Sequence, residues 1–176
     1  MTLFGRNRID APLTLWTIPE IASVGLPEET ARAAAAADTS FTGGSAAGAG
    51  GESDAAAGGG AACAEIVVGR AYFKDLARGR LSGDLDGFLS IVARAEGPQR
   101  HVIVGVHIAG EGANELIQLG SILVHSGATL EQASFEGGGT EEGTNTPFAA
   151  VTLSGLYQMA SDDALCNSPL NLLRQP

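Results

Sequence analysis

The chain has 176 residues, enough for one domain around a single core, and its 44% hydrophobic against 17% charged content is a globular balance. A formal net charge of -10, with only ten Lys and Arg, argues against nucleic acid or an anionic membrane surface as partner, since both need a basic footprint. No apolar run approaches the roughly 18 residues that cross a bilayer, and Arg6 and Arg8 near the start have no long apolar stretch behind them, so no secretory signal is expected.

Residues 1–12 read as an N-terminal extension. Leu13 to Thr17 is short, apolar and β-prone, and Pro19 stops it, so it is expected to be a strand entering a turn. Leu26 to Ala37 is expected to be a helix. Pro27 suits its first turn, Glu28 and Glu29 suit the positive end of its dipole, and the Ala run favours helix.

Thr42 to Ala62 differs in kind, with eight Gly and eight Ala among 21 residues and no aliphatic side chain larger than Ala. Such a segment cannot bury enough apolar area to offset the entropy of ordering it, so it reads as a flexible insertion. It lacks GxxxxGK[ST] and leads from no strand into a helix, so it is not a phosphate loop.

Strand patterns resume at Ile66 to Phe73, Asp86 to Ala93 and His101 to Ile108, punctuated by Gly83 and Gly97-Pro98. Three strands with short links suggest an antiparallel meander. Gly112 to His125 changes period. Ala113, Leu116, Ile117, Gly120, Leu123 and Val124 share a helical stripe, while Asn114, Gln118, Ser121 and His125 lie on another face, and Gly127 is a natural stop. Pro147 to Ala160 reads as the last helix, and residues 164–176 as a loosely held tail. The expected class is α+β: an antiparallel sheet with helices on one face, in one domain over residues 13–163.

Four ordered blocks carry a family resemblance. Leu15-Trp16-Thr17-Ile18-Pro19-Glu20-Ile21-Ala22-Ser23-Val24-Gly25 resembles a pattern close to F-T-x-P-E-I-A-S-V-G. Val68-Gly69-Arg70-Ala71-Tyr72-Phe73-Lys74 with Ala77-Arg78, then Gly87-Phe88-Leu89-Ser90-Ile91-Val92, resemble the next two strands. Val104 to Ile108, Gly110 and Ala113 to Ile117 resemble the passage G-x-x-x-x-G-x-x-A-x-E-L-I. Together they resemble the C-terminal dimerisation domain of the pyridine nucleotide-disulfide oxidoreductases, nearest to the soluble pyridine nucleotide transhydrogenases.

The resemblance implies a sheet-and-helix domain that pairs two subunits, with FAD and NAD(P) bound by other domains of a full-length parent. No G-x-G-x-x-G follows a strand here, so no cofactor is expected on this chain and no activity from it alone. The expected partners are a second copy, giving a homodimer, or a flavoprotein subunit. Residues expected at the dimer interface are Leu116, Ile117, Leu123, Phe148, Leu156 and Met159. A stand-alone protein–protein interaction module derived from this domain is the alternative, and an autonomous enzyme ranks last.

Disulfide reductases of the family end in H-P-x-x-x-x-E, a catalytic acid–base dyad. The matching stretch here holds Thr146 before Pro147 and Val151 at the Glu position. A Thr hydroxyl has no useful proton affinity near neutral pH and Val has no polar group, so the thiol acid–base step is not expected.

The three histidines show no metal spacing and are expected to be structural. His101 should face solvent as it opens a strand, His107 should be a satisfied sheet residue, and His125 should favour the negative end of its helix. Glu20 and Glu115 read as capping or surface carboxylates. Cys63 and Cys166 lie far apart without a CxxC partner. They allow one disulfide but signal neither a redox pair nor zinc. A soluble protein of the cytoplasm or an organellar matrix, not secreted, is the plain expectation.

Overall fold

The computed structural model describes residues 11–37, 65–96, 100–134 and 151–168. The Gly/Ala-rich stretch 42–62, Cys63, Thr146, Pro147 and Phe148 lie outside the described residues.

Five strands form one antiparallel sheet, β1 Leu13–Leu15, β2 Ile21–Gly25, β3 Ile66–Tyr72, β4 Phe88–Ala95 and β5 His101–Ala109, in the order β1-β2-β5-β4-β3. The expected meander is present as β3-β4-β5. The sequence reading gave no strand to Ile21–Gly25. That segment is β2, and it lies between β1 and β5 in the ladder. Its alternation buries only Ala22 and Val24, two small side chains, so its period-2 signal is faint in a five-residue run.

One face of the sheet carries three helices, α3 Ala113–Ser126, the single turn α4 Leu130–Ala133, and α5 Gly155–Asn167. The core forms between that face and those helices, from Val67, Ala71, Leu89, Ile91, Val106 and Ile108 below and Ile117, Leu130, Leu156 and Tyr157 above. Phe73, in a 3-10 turn after β3, also has no exposed surface. Helix α1, Glu28–Ala37, covers one end of the opposite face, where Ala31 and Ala35 pack on Ile66 and Val92. A short helix, α2 Ala77–Ser82, was not anticipated.

Helix α3 ends as expected. Gly127 takes the left-handed conformation at φ 67, and its N–H reaches the Leu123 and Val124 carbonyls. The last helix does not follow the expected bounds. Val151 has φ 61, outside the helical region, and residues 151–154 form turns, so α5 begins only at Gly155. It then continues past Asp163 to Asn167, so residues 164–167, assigned to the tail, belong to the helix. Their order has a cause. Ala164 is fully buried, and the Asp163 carboxylate accepts the Arg70 N–H at 2.8 Å, tying α5 to β3.

Candidate functional site

The outer side of the helical layer is the first candidate surface. Of the residues expected at an interface, Ile117 and Leu156 are fully buried in the chain's own core and Leu123 nearly so. They support the helices from within. Leu116 and Met159 are half-buried and retain surface, and Phe148 lies outside the described residues. Ile122, outside the expected interface set, is 65% exposed. Leu116, Leu119 and Ile122 follow at three-residue steps, one ridge along α3. The signal was available, since Ile122 is an aliphatic residue between the polar Gln118 and His125.

Tyr157 locks the two long helices together. Its hydroxyl donates to the Leu116 carbonyl at 2.6 Å, and burial pushes its pKa well above the ordinary value. The ridge on α3 therefore stands on a rigid support rather than on a free helix.

The N-terminus of α3 is the other place where chemistry could collect, because helix N–H groups attract anions. Here this chain supplies its own carboxylate. Glu20 accepts the Asn114 N–H at 3.2 Å, which fits the capping role expected for it. Glu111 and Glu115 flank the same turn. A dinucleotide pyrophosphate would meet these carboxylates, so the strand-to-helix passage Gly110–Ala113 does not suit that ligand.

The histidines fall into two groups. His107 is held as expected. Its Nε2–H donates to the Leu26 carbonyl at 3.2 Å and its Nδ1 accepts from the Ser23 hydroxyl at 2.7 Å. Burial lowers its pKa, against a smaller opposite effect of the Leu26 bond. His125 is exposed and donates to the Ser121 carbonyl at 2.7 Å in the last turn of α3.

His101 corrects the sequence reading, which placed it in solvent. Only 4% of its side chain is exposed. Its Nδ1–H donates to the Glu131 carboxylate at 2.6 Å, and its Nε2 lies 3.2 Å from the buried Ser168 hydroxyl. Three elements meet at this ring: the start of β5, helix α4 and the residue that ends α5. Ser168 sits at the C-terminal end of a helix, where the dipole opposes a developing oxyanion. The cluster is therefore a clasp rather than a nucleophilic triad.

The clasp has a pH signature. Burial alone would raise the Glu131 pKa, but the hydrogen bonds from His101, the backbone and Thr129 outweigh it and hold the carboxyl below its ordinary value of 4.5. A carboxyl depressed in the folded state adds stability above its unfolded pKa and loses it as pH falls through the folded pKa. The thermal midpoint is expected to fall over the acid window that opens as pH drops below the ordinary carboxyl value of 4.5. The Glu131→Gln variant should start lower and fall less over that window. Parallel curves for the two proteins would remove Glu131 from the acid limb.

Val151, which the resemblance matches to the Glu of the reductase motif, is 54% exposed and apolar. Cys166 carries an exposed free thiol. Among the described residues no group of three or more His, Cys, Asp or Glu could hold a metal ion, and no helix is long and apolar enough to cross a membrane.

The profile of the family described as "Pyridine nucleotide-disulphide oxidoreductase, dimerisation domain" matches residues 36–136. Two relatives, both named soluble pyridine nucleotide transhydrogenase, illustrate the likeness. That of Hahella chejuensis is 26% identical over 162 residues, covering 92% of this chain and 27% of the relative. That of Yersinia enterocolitica is 31% identical over 156 residues, covering 89% of this chain and 25% of the relative. This chain thus spans about a quarter of the length of the curated relatives it matches. Among solved structures, LpdA from Mycobacterium tuberculosis superposes with a TM-score of 0.57 at 21% identity, over 88% of this chain and 25% of that one. The HOCl-induced flavoprotein disulfide reductase RclA from Escherichia coli does so at 0.55 and 16%, over 91% and 26%. At these identities the two structures speak for the fold.

Proposed function

Because the chain belongs to the dimerisation-domain family of the pyridine nucleotide-disulphide oxidoreductases, we propose that it acts by pairing subunits of a flavin-dependent NAD(P) oxidoreductase and not by chemistry of its own. The parent assembly would hold FAD and NAD(P) on other domains. The transhydrogenase relatives suggest nicotinamide nucleotides as its substrates. Thr146 and Val151 at the dyad positions give this chain no acid–base pair to offer a partner's disulfide.

The observation that carries the reading is the α3 ridge. Ile122 stands in solvent, flanked by the half-buried Leu116 and Leu119, with Met159 of α5 as a further candidate. A two-fold contact presents each of these residues twice, ridge against ridge, so a modest row becomes a sizeable seam. Phe148 joins this proposed surface on the strength of the resemblance.

Sedimentation equilibrium tests the pairing. The expected result is a species at twice the 17.8 kDa chain mass. Ile122→Asp should weaken association at least about tenfold, since it buries two like charges at a two-fold seam. A single species at 17.8 kDa at every concentration would remove the pairing role.

A further inference from the structure

The N-terminal hairpin β1–β2 is held to the rest of the molecule by few buried groups. Its inner strand pairs with β5 from Ile21↔Ala109 to Gly25↔Gly105, but only Ala22 and Val24 enter the core, while Leu13, Leu15 and Ile21 keep large exposed surfaces. Side-chain ties add to this ladder. Glu20 accepts the Asn114 N–H at the start of α3. His107 of β5 makes another tie, and it reaches both Ser23 within β2 and Leu26 just beyond it.

The bonds of His107 fix where its proton sits. The Leu26 carbonyl can only accept, so the ring N–H is on Nε2, and Nδ1 keeps a lone pair for the Ser23 hydroxyl. A second proton would land on Nδ1, the atom already taken. Ser23 would then have to turn its hydroxyl hydrogen away, and a charged ring would sit half-buried on the sheet face that α1 partly covers. Its surroundings do little for that charge. In the row across the sheet His107 stands between Ser23 and Ser90, with Arg70 beyond Ser90. The charged groups on the flanking elements are Arg70 of β3 and Glu28, Glu29 and Arg32 of α1. Glu28 is already engaged by Arg70 at 3.1 Å and Arg32 at 3.0 Å, and Glu29 is exposed. An imidazolium here would share its row with an arginine, while the ring's own bonds go to a hydroxyl and a carbonyl.

We infer that His107 is an acid-sensitive lock on the N-terminal hairpin: neutral, it fastens Ser23 and Leu26 to β5, and protonated, it lets the hairpin lift while the meander and the helices above it stay folded. Lifting would bare the outer edge of β5, a row of backbone groups open to another strand. The sign follows from burial, which lowers the His107 pKa from 6.5 against the smaller raising effect of the Leu26 bond. Such a ring takes its proton more readily once the hairpin is open. The closed state is therefore at full strength above 6.5 and weakens as pH falls below it.

Hydrogen–deuterium exchange of the full chain, read by mass spectrometry at about pH 7.5 and about pH 5 and corrected for the pH dependence of exchange itself, tests the lock. The range ends above the ordinary carboxyl value of 4.5, so the His101–Glu131 clasp stays closed. Peptides spanning residues 13–25 should open at least about threefold more at the lower pH, while peptides of β4 and α3 keep their protection. His107→Gln keeps a donor for Leu26 and an acceptor for Ser23 and has no charge to gain, so its hairpin should exchange alike at both pH values. The imidazole nitrogen-15 resonances need no variant: the neutral ring should carry its proton on Nε2 and titrate below 6.5. Hairpin protection indifferent to pH in the unaltered chain, an equal loss in β4, a pH step retained in His107→Gln, or a His107 midpoint at or above 6.5 overturns the inference.

Discussion

Gly69→Ala is expected to push α5 away from the sheet and remove a large share of the domain's stability. A Cβ at this position would lie 1.9 Å from the Ala160 carbonyl oxygen and 2.6 Å from the Ala164 nitrogen. Both are backbone atoms of α5, so no rotamer change relieves the overlap and the whole helix must move. That helix closes the core with Leu156, Tyr157, Ala160 and Ala164, all fully buried. Overpacking typically costs 1–3 kcal/mol and more against rigid backbone, so about 3 kcal/mol is expected, out of a total near 5–15. Urea unfolding should show a midpoint lowered by roughly 1–3 M at ordinary slopes. A shift below about 0.3 M would mean that β3 and α5 do not approach this closely.

His101→Ala should be the second large loss, about 2–3 kcal/mol. Removing the imidazole strands the Glu131 carboxylate, whose side chain is 25% exposed, and leaves the Ser168 hydroxyl facing a void. Partial access to water lets Glu131 recover some hydration, which keeps the cost below that of a fully buried charge. A double-mutant cycle with Glu131→Gln should give clearly non-additive losses, because the two residues form one unit. Additive losses would show that the imidazole acts through packing alone.

How much of this could be read from the sequence depended on how local the cause was. The strands β3 and β5 have strong β-branched runs, and α3 has a clean apolar stripe and a Gly stop, so each was legible within a residue or two. Strand β2 was not, since its place is set by pairing with β5, more than 80 positions away: Ser23 meets His107 at a separation of 84 residues. The start of α5 was missed because Val151 takes a left-handed conformation that its β-branched side chain disfavours, a choice imposed by tertiary context. His101 went wrong for a related reason. A histidine opening a strand normally meets water, and only the return of α4 and the end of α5 bury it. The candidate surfaces divide in the same way. Leu116 and Met159 follow from helical periodicity, while the cross-strand row Leu15, Ile21, Ala109, Phe88 and Tyr72 exists only once five strands are in register.

The strand order has a consequence for how the molecule comes to exist. Strands β1 and β2 are made first, but β2 has its inner partner in β5, which leaves the ribosome about 84 residues later. At 5–20 residues per second that interval is roughly 4–17 s. The meander β3-β4-β5 draws all its pairing from the stretch Ile66 to Ala109, so its strands can meet soon after they emerge. The N-terminal hairpin must wait, and then close a long loop whose entropic cost grows only with the logarithm of its length. The first strands of this sheet to be synthesised are thus the last to be seated, and through that interval Ala22 and Val24, buried in the finished sheet, remain open to whatever else the nascent chain encounters.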